Sequence, residues 1–224
     1  MLIVTINEKD YNVADRWHDI KLGQFVSYLK NVLPTAPQAL KDFQAGNKEA
    51  LTSLADADYY ALFLPFFCRV VAAFSNIPYS ILMQCNVNAV EGLYKGINSV
   101  LIEPKDENVK AFRIDGELYR LPTKFMQGAK VEDFVEAAHL EKAVGKGSQW
   151  EAMALVCCVL LRKDGEGYND ELLKRERLFM KHLTMWQAYQ VSFFLSRLNS
   201  IYSSVSKIAL THLAPKLSEQ VVTN

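Results

Sequence analysis

The chain has 224 residues, half of them hydrophobic and 11% aromatic, which excludes a disordered protein and allows one large domain or two small ones. Lys plus Arg and Asp plus Glu both number 25, so the formal net charge is zero and the basic excess usual in a nucleic-acid binder is missing. A neutral surface also lacks self-repulsion, which suits a component of an assembly.

The N-terminus, Met1 to Asp10, has no basic region and turns polar within six residues, so it does not read as a signal peptide. Residues 2–6 and 10–13 are rich in alternating, β-branched and aromatic side chains around Asn7-Glu8-Lys9, predicting a short hairpin that must pack on something. Leu22, Phe25, Val26, Leu29 and Leu33 then recur at helical spacing, with Asp19 the expected N-cap and Pro34 and Pro37 the stop. Gln38 to Gln44 reads as another turn or two of helix.

Asp56 or Asp58 opens an apolar helix from Tyr59 to Phe74, kinked at Pro65 and apolar nearly all round, as expected of a central buried helix. The longest apolar run, Ala61 to Phe74, is broken by Pro65 and Arg69 and is too short to span a bilayer, so a soluble protein is expected. After Asn76-Ile77-Pro78 comes a short helix to Gln84, then a helix capped by Asn86 with a stripe of Val87, Val90, Leu93, Tyr94, Ile97 and Leu101. The polar segment Glu103 to Asn108 is the best boundary between halves.

The second half repeats the order. Phe112 to Leu121 reads as a hairpin turning on Asp115-Gly116, the favoured two-residue type I′ pair. A helix is predicted from Val131 to Val144, a glycine-rich break at Gly145-Lys146-Gly147-Ser148, and an apolar helix from Gln149 to Arg162. A charged helix from Asn169 or Asp170 to His182 follows, then a long helix opened by Thr184 and running through Trp186, Tyr189, Val191, Phe193, Phe194 and Leu198. Ile6 matches Ile114 and Tyr11 matches Tyr119 at an offset of 108, and Lys21, Phe25 and Val26 match Lys130, Phe134 and Val135 at 109. The pattern suggests an internal duplication. The expectation is a mainly α, α+β protein of two β-hairpin-plus-helices units, residues 1–104 and 109–214, packed as a helical domain with a flexible tail at 215–224.

Little in the chain points to catalysis. Cys68, Cys85, Cys157 and Cys158 form no Cys-x-x-Cys pair, and Cys157-Cys158 lies in an apolar run, so reduced core thiols and a cytoplasmic site of synthesis are expected. Glu136 and His139 have the spacing of a di-iron carboxylate motif, but the required second copy is missing. Gly145 to Ser148 fails the phosphate-loop spacing and follows a helix rather than a strand. His18, His139, His182 and His212 share no spacing, and no Gly-x-Ser-x-Gly elbow is present. The most basic stretch, Arg162 to His182 with Lys174-Arg175-Glu176-Arg177, has the aromatics Tyr168, Phe179 and Trp186 in or beside it but is interleaved with carboxylates, as in a solvated helix face. No catalytic, cofactor-binding or metal-binding residue is assigned. Trp17, Phe25, Trp186 and Tyr189 are the candidate interaction residues, with a core role as the rival reading.

The run Tyr11-Asn12-Val13-Ala14-Asp15-Arg16-Trp17-His18-Asp19-Ile20-Lys21-Leu22-Gly23-Gln24-Phe25 resembles the opening of small tailed-bacteriophage proteins described as tail assembly chaperones or virion structural proteins. Those run from a hairpin through an aromatic residue to a helix start of the type Asp-Ile-Thr-Leu-Gly-Gln and then Phe or Tyr. Ser75-Asn76-Ile77-Pro78 with Val87 to Tyr94, and Phe112 to Tyr119 with Phe134-Val135, are similar too, so the likeness covers residues 3–30, 75–100 and 111–140. The second copy departs from it at Gly128 to Asp133. The resemblance implies a non-enzymatic assembly role, tail assembly chaperone-like, with a tail or tape-measure protein as partner. It places the protein in the host cytoplasm, or in the virion if it is a structural head, neck or tail component. A homo-oligomer is compatible with either. No cofactor, small-molecule substrate or membrane is expected, and a cytoplasmic regulatory or nucleic-acid-associated module is the alternative.

Overall fold

A computed structural model describes residues 1–47, 49–52, 55–122, 135, 149–166 and 170–197. The expected helix from Val131 to Val144 apart from Val135, the repeat matches Lys130 and Phe134, the Glu136–His139 pair, Gly145 to Ser148, Tyr168, Leu198, and the tail at 215–224 lie outside them. The described chain is mainly helical, with two small antiparallel two-stranded sheets.

Each half opens with the same hairpin. β1 (Leu2–Ile6) pairs with β2 (Lys9–Val13), setting Val4 opposite Tyr11 and Ile6 opposite Lys9. β3 (Ala111–Ile114) pairs with β4 (Glu117–Arg120), setting Phe112 opposite Tyr119 and Ile114 opposite Glu117. The register is identical at the offset of 108 residues, and Tyr11 and Val13 are buried as are Tyr119 and Leu121. Both turns are left-handed pairs: Asn7 and Glu8 at φ 50° and 63°, Asp115 and Gly116 at φ 49° and 81°. Glycine adopts that backbone without a Cβ penalty, whereas Glu8 is strained there. Glu8→Gly is therefore expected to raise stability by roughly 0.5–1 kcal/mol in urea unfolding, and a loss would contradict the turn geometry.

The likeness extends past the hairpins. Val13 bridges to Ser75, just beyond α4 (Asp56–Ala73), and Arg120 bridges to Arg162, just beyond α7 (Gln149–Leu160). Arg120 and Arg162 exchange backbone hydrogen bonds of 2.8 and 3.1 Å. In the first half Asn76 donates its N–H to the Asn12 carbonyl at 3.1 Å, while the Asn12 N–H donates to the Asn76 side-chain Oδ1 at 2.7 Å. A side-chain amide there replaces a backbone carbonyl. In each half the hairpin is thus tied to the end of a long apolar helix.

Between these landmarks lie α1 (Leu22–Asn31), a 3-10 turn at Leu33–Thr35, α2 (Gln38–Gln44), α3 (Glu49–Thr52), α5 (Tyr79–Leu82) and α6 (Val87–Val100). A 3-10 turn at Asp170–Arg175 leads into α8 (Glu176–His182), and α9 begins at 185 and is described through 197. Asn86 caps α6 through Oδ1, which accepts the Asn88 N–H at 2.9 Å. Thr184 and Gln187 form a reciprocal capping box at the start of α9, with bonds of 2.9 and 3.3 Å.

Several expected details differ. Asp19 does not cap α1; its carboxylate meets the Met1 ammonium at 3.0 Å and Arg16 at 3.6 Å, and the helix starts behind Lys21, whose N–H is satisfied by Gln24 Oε1 at 3.3 Å. Leu33 falls in the 3-10 turn and is exposed. The expected single helix up to His182 is a 3-10 turn followed by α8. α4 is not buried all round, because Tyr60 and Leu62 face solvent while Phe63, Phe66, Phe67 and Val70 enter the core. That core is shared, with Phe25, Phe74, Trp150, Phe179 and Val191 packed in one cluster.

Candidate functional site

Residues 17–25, the end of the run Tyr11 to Phe25, lie where the halves meet. They run antiparallel to the link between α8 and α9: Lys21 bridges Thr184, the Leu22 N–H donates to the Leu183 carbonyl at 2.8 Å, and the Met185 N–H donates to the Ile20 carbonyl at 2.8 Å. Lys21 Nζ reaches the His182 carbonyl at 3.3 Å, placing a cation at the C-terminus of α8. Gly23 lies so close to α8 that a Cβ would stand 2.7 Å from the Met180 carbonyl oxygen.

The four aromatic residues singled out in the sequence converge on this seam. The Trp17 ring lies edge-on to Phe25 at 5.5 Å and to Tyr189 at 5.1 Å between centroids, and Trp150 joins both at 5.9 and 4.6 Å. Trp186 stacks on His18 at 4.4 Å. Trp17 and Phe25 are buried, while Trp186 and Tyr189 are half-buried. Sequence reading missed Gln187 and Gln190, polar residues buried on α9. Gln190 accepts the Glu107 N–H at 2.9 Å and donates to the Lys105 carbonyl at 2.8 Å, and Gln187 donates to the Arg113 carbonyl at 3.1 Å. With the Trp186 indole on Glu107 at 3.2 Å, α9 straps the segment between the halves to the second hairpin. Glutamine on an otherwise apolar helix face was the available signal.

On the other side of α1 lies an open groove of about 450 Å³, lined by Gln24, Ser27, Tyr28 and Val32, by Arg69, Ala72 and Ala73 of α4, and by Tyr79 of α5. Gln24 separates it from a hollow of about 260 Å³ lined by Met1, Asn12, Asp19 and Asn76 among others, and donates to the Ala73 carbonyl at 2.7 Å. Arg69 is exposed and has no hydrogen-bond or ion-pair partner among the described residues. Burial pushes the Tyr28 phenol up to about 12, so it stays a neutral hydroxyl. Among the described residues the lining holds no His, Cys, Asp or Glu. What it offers is apolar surface with one guanidinium, a fit for an apolar segment that carries a carboxylate.

Part of the basic stretch, with Arg120 beside it, is tied to carboxylates. Arg175 forks onto Glu166, with one arm at 2.8 Å, Lys163 meets Glu117 at 3.1 Å, Arg120 meets Asp164 at 2.7 Å, and His182 meets Asp115 at 3.4 Å. The Arg175 guanidinium holds the Glu166 carboxyl below its ordinary 4.5. A depressed carboxyl contributes stability that is present above its unfolded value and lost as pH falls through the folded one. Acidification below about 4.5 is expected to lower stability less in Arg175→Met than in the parent, read by urea unfolding against pH. Equal acid losses would contradict the pairing.

All four cysteines are free, with Cys68, Cys157 and Cys158 buried. Burial pushes the Cys158 thiol up to about 12 and raises Cys68 and Cys157 above their usual range, so these three buried thiols are not poised as nucleophiles. Among the described residues, no group of three or more His, Cys, Asp or Glu could hold a metal ion, and no helix is long and apolar enough to cross a membrane. No family model matches the chain, and neither a curated protein nor a solved structure does.

Proposed function

We propose that the protein is a non-enzymatic assembly protein of a tailed-bacteriophage particle, tail assembly chaperone-like, working by protein–protein contact. The observation that carries this reading is the open groove between α1 and α4, with Arg69, which has no charge partner among the described residues, on its wall and the exposed Tyr60 and Leu62 also on α4. An apolar groove with one available cation suits transient capture of an apolar client segment better than chemistry. The resemblance of residues 11–25 to phage assembly proteins supports the choice of client, a tail or tape-measure protein. The carboxylate partners of Arg120, Lys163 and Arg175 weigh against the nucleic-acid alternative, because those charges are already engaged.

Co-expression with a phage tail protein and a tape-measure protein tests the proposal. The expected result is a client kept in the soluble fraction and co-purified, with capture weakened at least about tenfold by Arg69→Glu while the melting temperature is unchanged. Mass spectrometry of mature particles should then find the protein absent. No co-purification would overturn the proposal, and stoichiometric presence in particles would replace the chaperone with a structural component.

A further inference from the structure

We infer that the outer edge of β1 is a pairing site for β1 of a second copy of this chain, in an antiparallel ladder centred on Val4. This goes beyond the assembly reading and stands without it.

The backbone phase carries the inference. In a two-residue hairpin the residues flanking the turn, here Ile6 and Lys9, face each other as a hydrogen-bonded pair. Val4 and Leu2 then bond inward to β2, and Ile3 and Thr5 direct their N–H and C=O groups outward. The far edge of the hairpin confirms the phase, since Asn12 and Ala14, also outward, bond to Asn76 and Phe74. Among the described residues nothing pairs with the backbone of Ile3 or Thr5 on the outer side. Ile3 is 64% exposed and Leu2 49%, so the open edge is also apolar.

The second hairpin supplies an internal comparison. Arg113 stands in β3 where Thr5 stands in β1, and its outward carbonyl is taken by Gln187 at 3.1 Å. That edge is covered by α9 and carries a charge. β1 has neither safeguard: Leu2 to Ile6 holds no charged residue and no proline, the devices that keep edge strands from pairing.

A second copy fits this edge by symmetry. Two-fold pairing about Val4 sets Ile3 opposite Thr5 of the other copy, so the outward groups of each satisfy those of its mate, and Leu2 falls opposite Ile6. No like charges meet along the ladder. At each end the turn of one copy, with Glu8 and Lys9, comes beside Met1 of the other, whose ammonium is held by Asp15 at 2.8 Å and Asp19 at 3.0 Å. Both signs are present on both sides there. The edge is short and buries far less than the roughly 1,200 Å² of a standard interface, so a weak, concentration-dependent dimer is expected.

Sedimentation equilibrium of the full chain over a rising concentration series tests it. The parent should move from monomer toward dimer, and Ile3→Lys should raise the dissociation constant about tenfold or more by adding a charge to the exposed edge. Thr5→Pro removes one outward N–H and leaves the β1–β2 backbone bonds in place, while also losing the Thr5 hydroxyl's bond to the Asp10 carboxylate at 2.7 Å, and should act the same way; Ile3→Lys decides the matter if that variant folds poorly. A parent that stays monomeric throughout, or a dimer whose dissociation constant Ile3→Lys leaves unchanged, would overturn the inference.

Discussion

Trp17→Ala is expected to remove about 3–5 kcal/mol of stability, the range for deleting a buried large aromatic side chain. Trp17 is 6% exposed, touches Phe25 and Tyr189 edge-on, and donates its indole N–H to the Ile102 carbonyl at 2.6 Å. Those neighbours come from both halves, so the cavity left behind opens the seam itself. Trp17→Phe keeps most of the ring contacts and loses the hydrogen bond, and should cost about 1–3 kcal/mol. Urea unfolding measures both. A loss below about 1 kcal/mol for Trp17→Ala would place the residue outside the core and return it to the contact role.

Gly23→Ala is the second change with a large expected effect, and its sign is diagnostic. In an isolated helix alanine is favoured over glycine by about 1 kcal/mol. Here the new Cβ would stand 2.7 Å from the Met180 carbonyl oxygen, a backbone atom that cannot rotate away. Relief requires α1 and α8 to separate, straining the Leu22–Leu183 and Ile20–Met185 hydrogen bonds, and the net expectation is a loss of about 1–3 kcal/mol. A Gly23→Ala chain more stable than the parent in urea would contradict the close approach.

Gly23 and its neighbours give residues 22–25 a physical explanation. Leu22 is fully buried, Gly23 lets α8 approach, Gln24 satisfies the Lys21 N–H and the Ala73 carbonyl, and Phe25 enters the aromatic cluster. The residues that carry the resemblance hold the halves together, and the groove proposed for a client lies beside them.

The hairpins were legible because strand alternation and the Asp115-Gly116 turn are local signals. Their ties to Ser75 and Arg162 were not, since partners so distant in sequence leave no periodic trace. Caps divided the same way. Asn86 and Thr184 act within three residues as their side chains suggest, whereas Asp19 is drawn off by Met1 and Arg16. α4 read as buried because it is apolar nearly all round, and only the arrangement of its neighbours leaves Tyr60 and Leu62 open. Trp17, Phe25, Trp186 and Tyr189 could be picked out by type, but whether they met each other or a partner depended on how the two halves pack.

All three tryptophans, Trp17, Trp150 and Trp186, stand at the seam, so their fluorescence reports the junction while far-UV circular dichroism reports helices throughout. Urea unfolding followed by both probes tests whether the two units stand or fall together. The expected result is a single transition with coincident midpoints. A fluorescence transition completed before the helical signal changes would show halves that fold separately and would contradict the shared core.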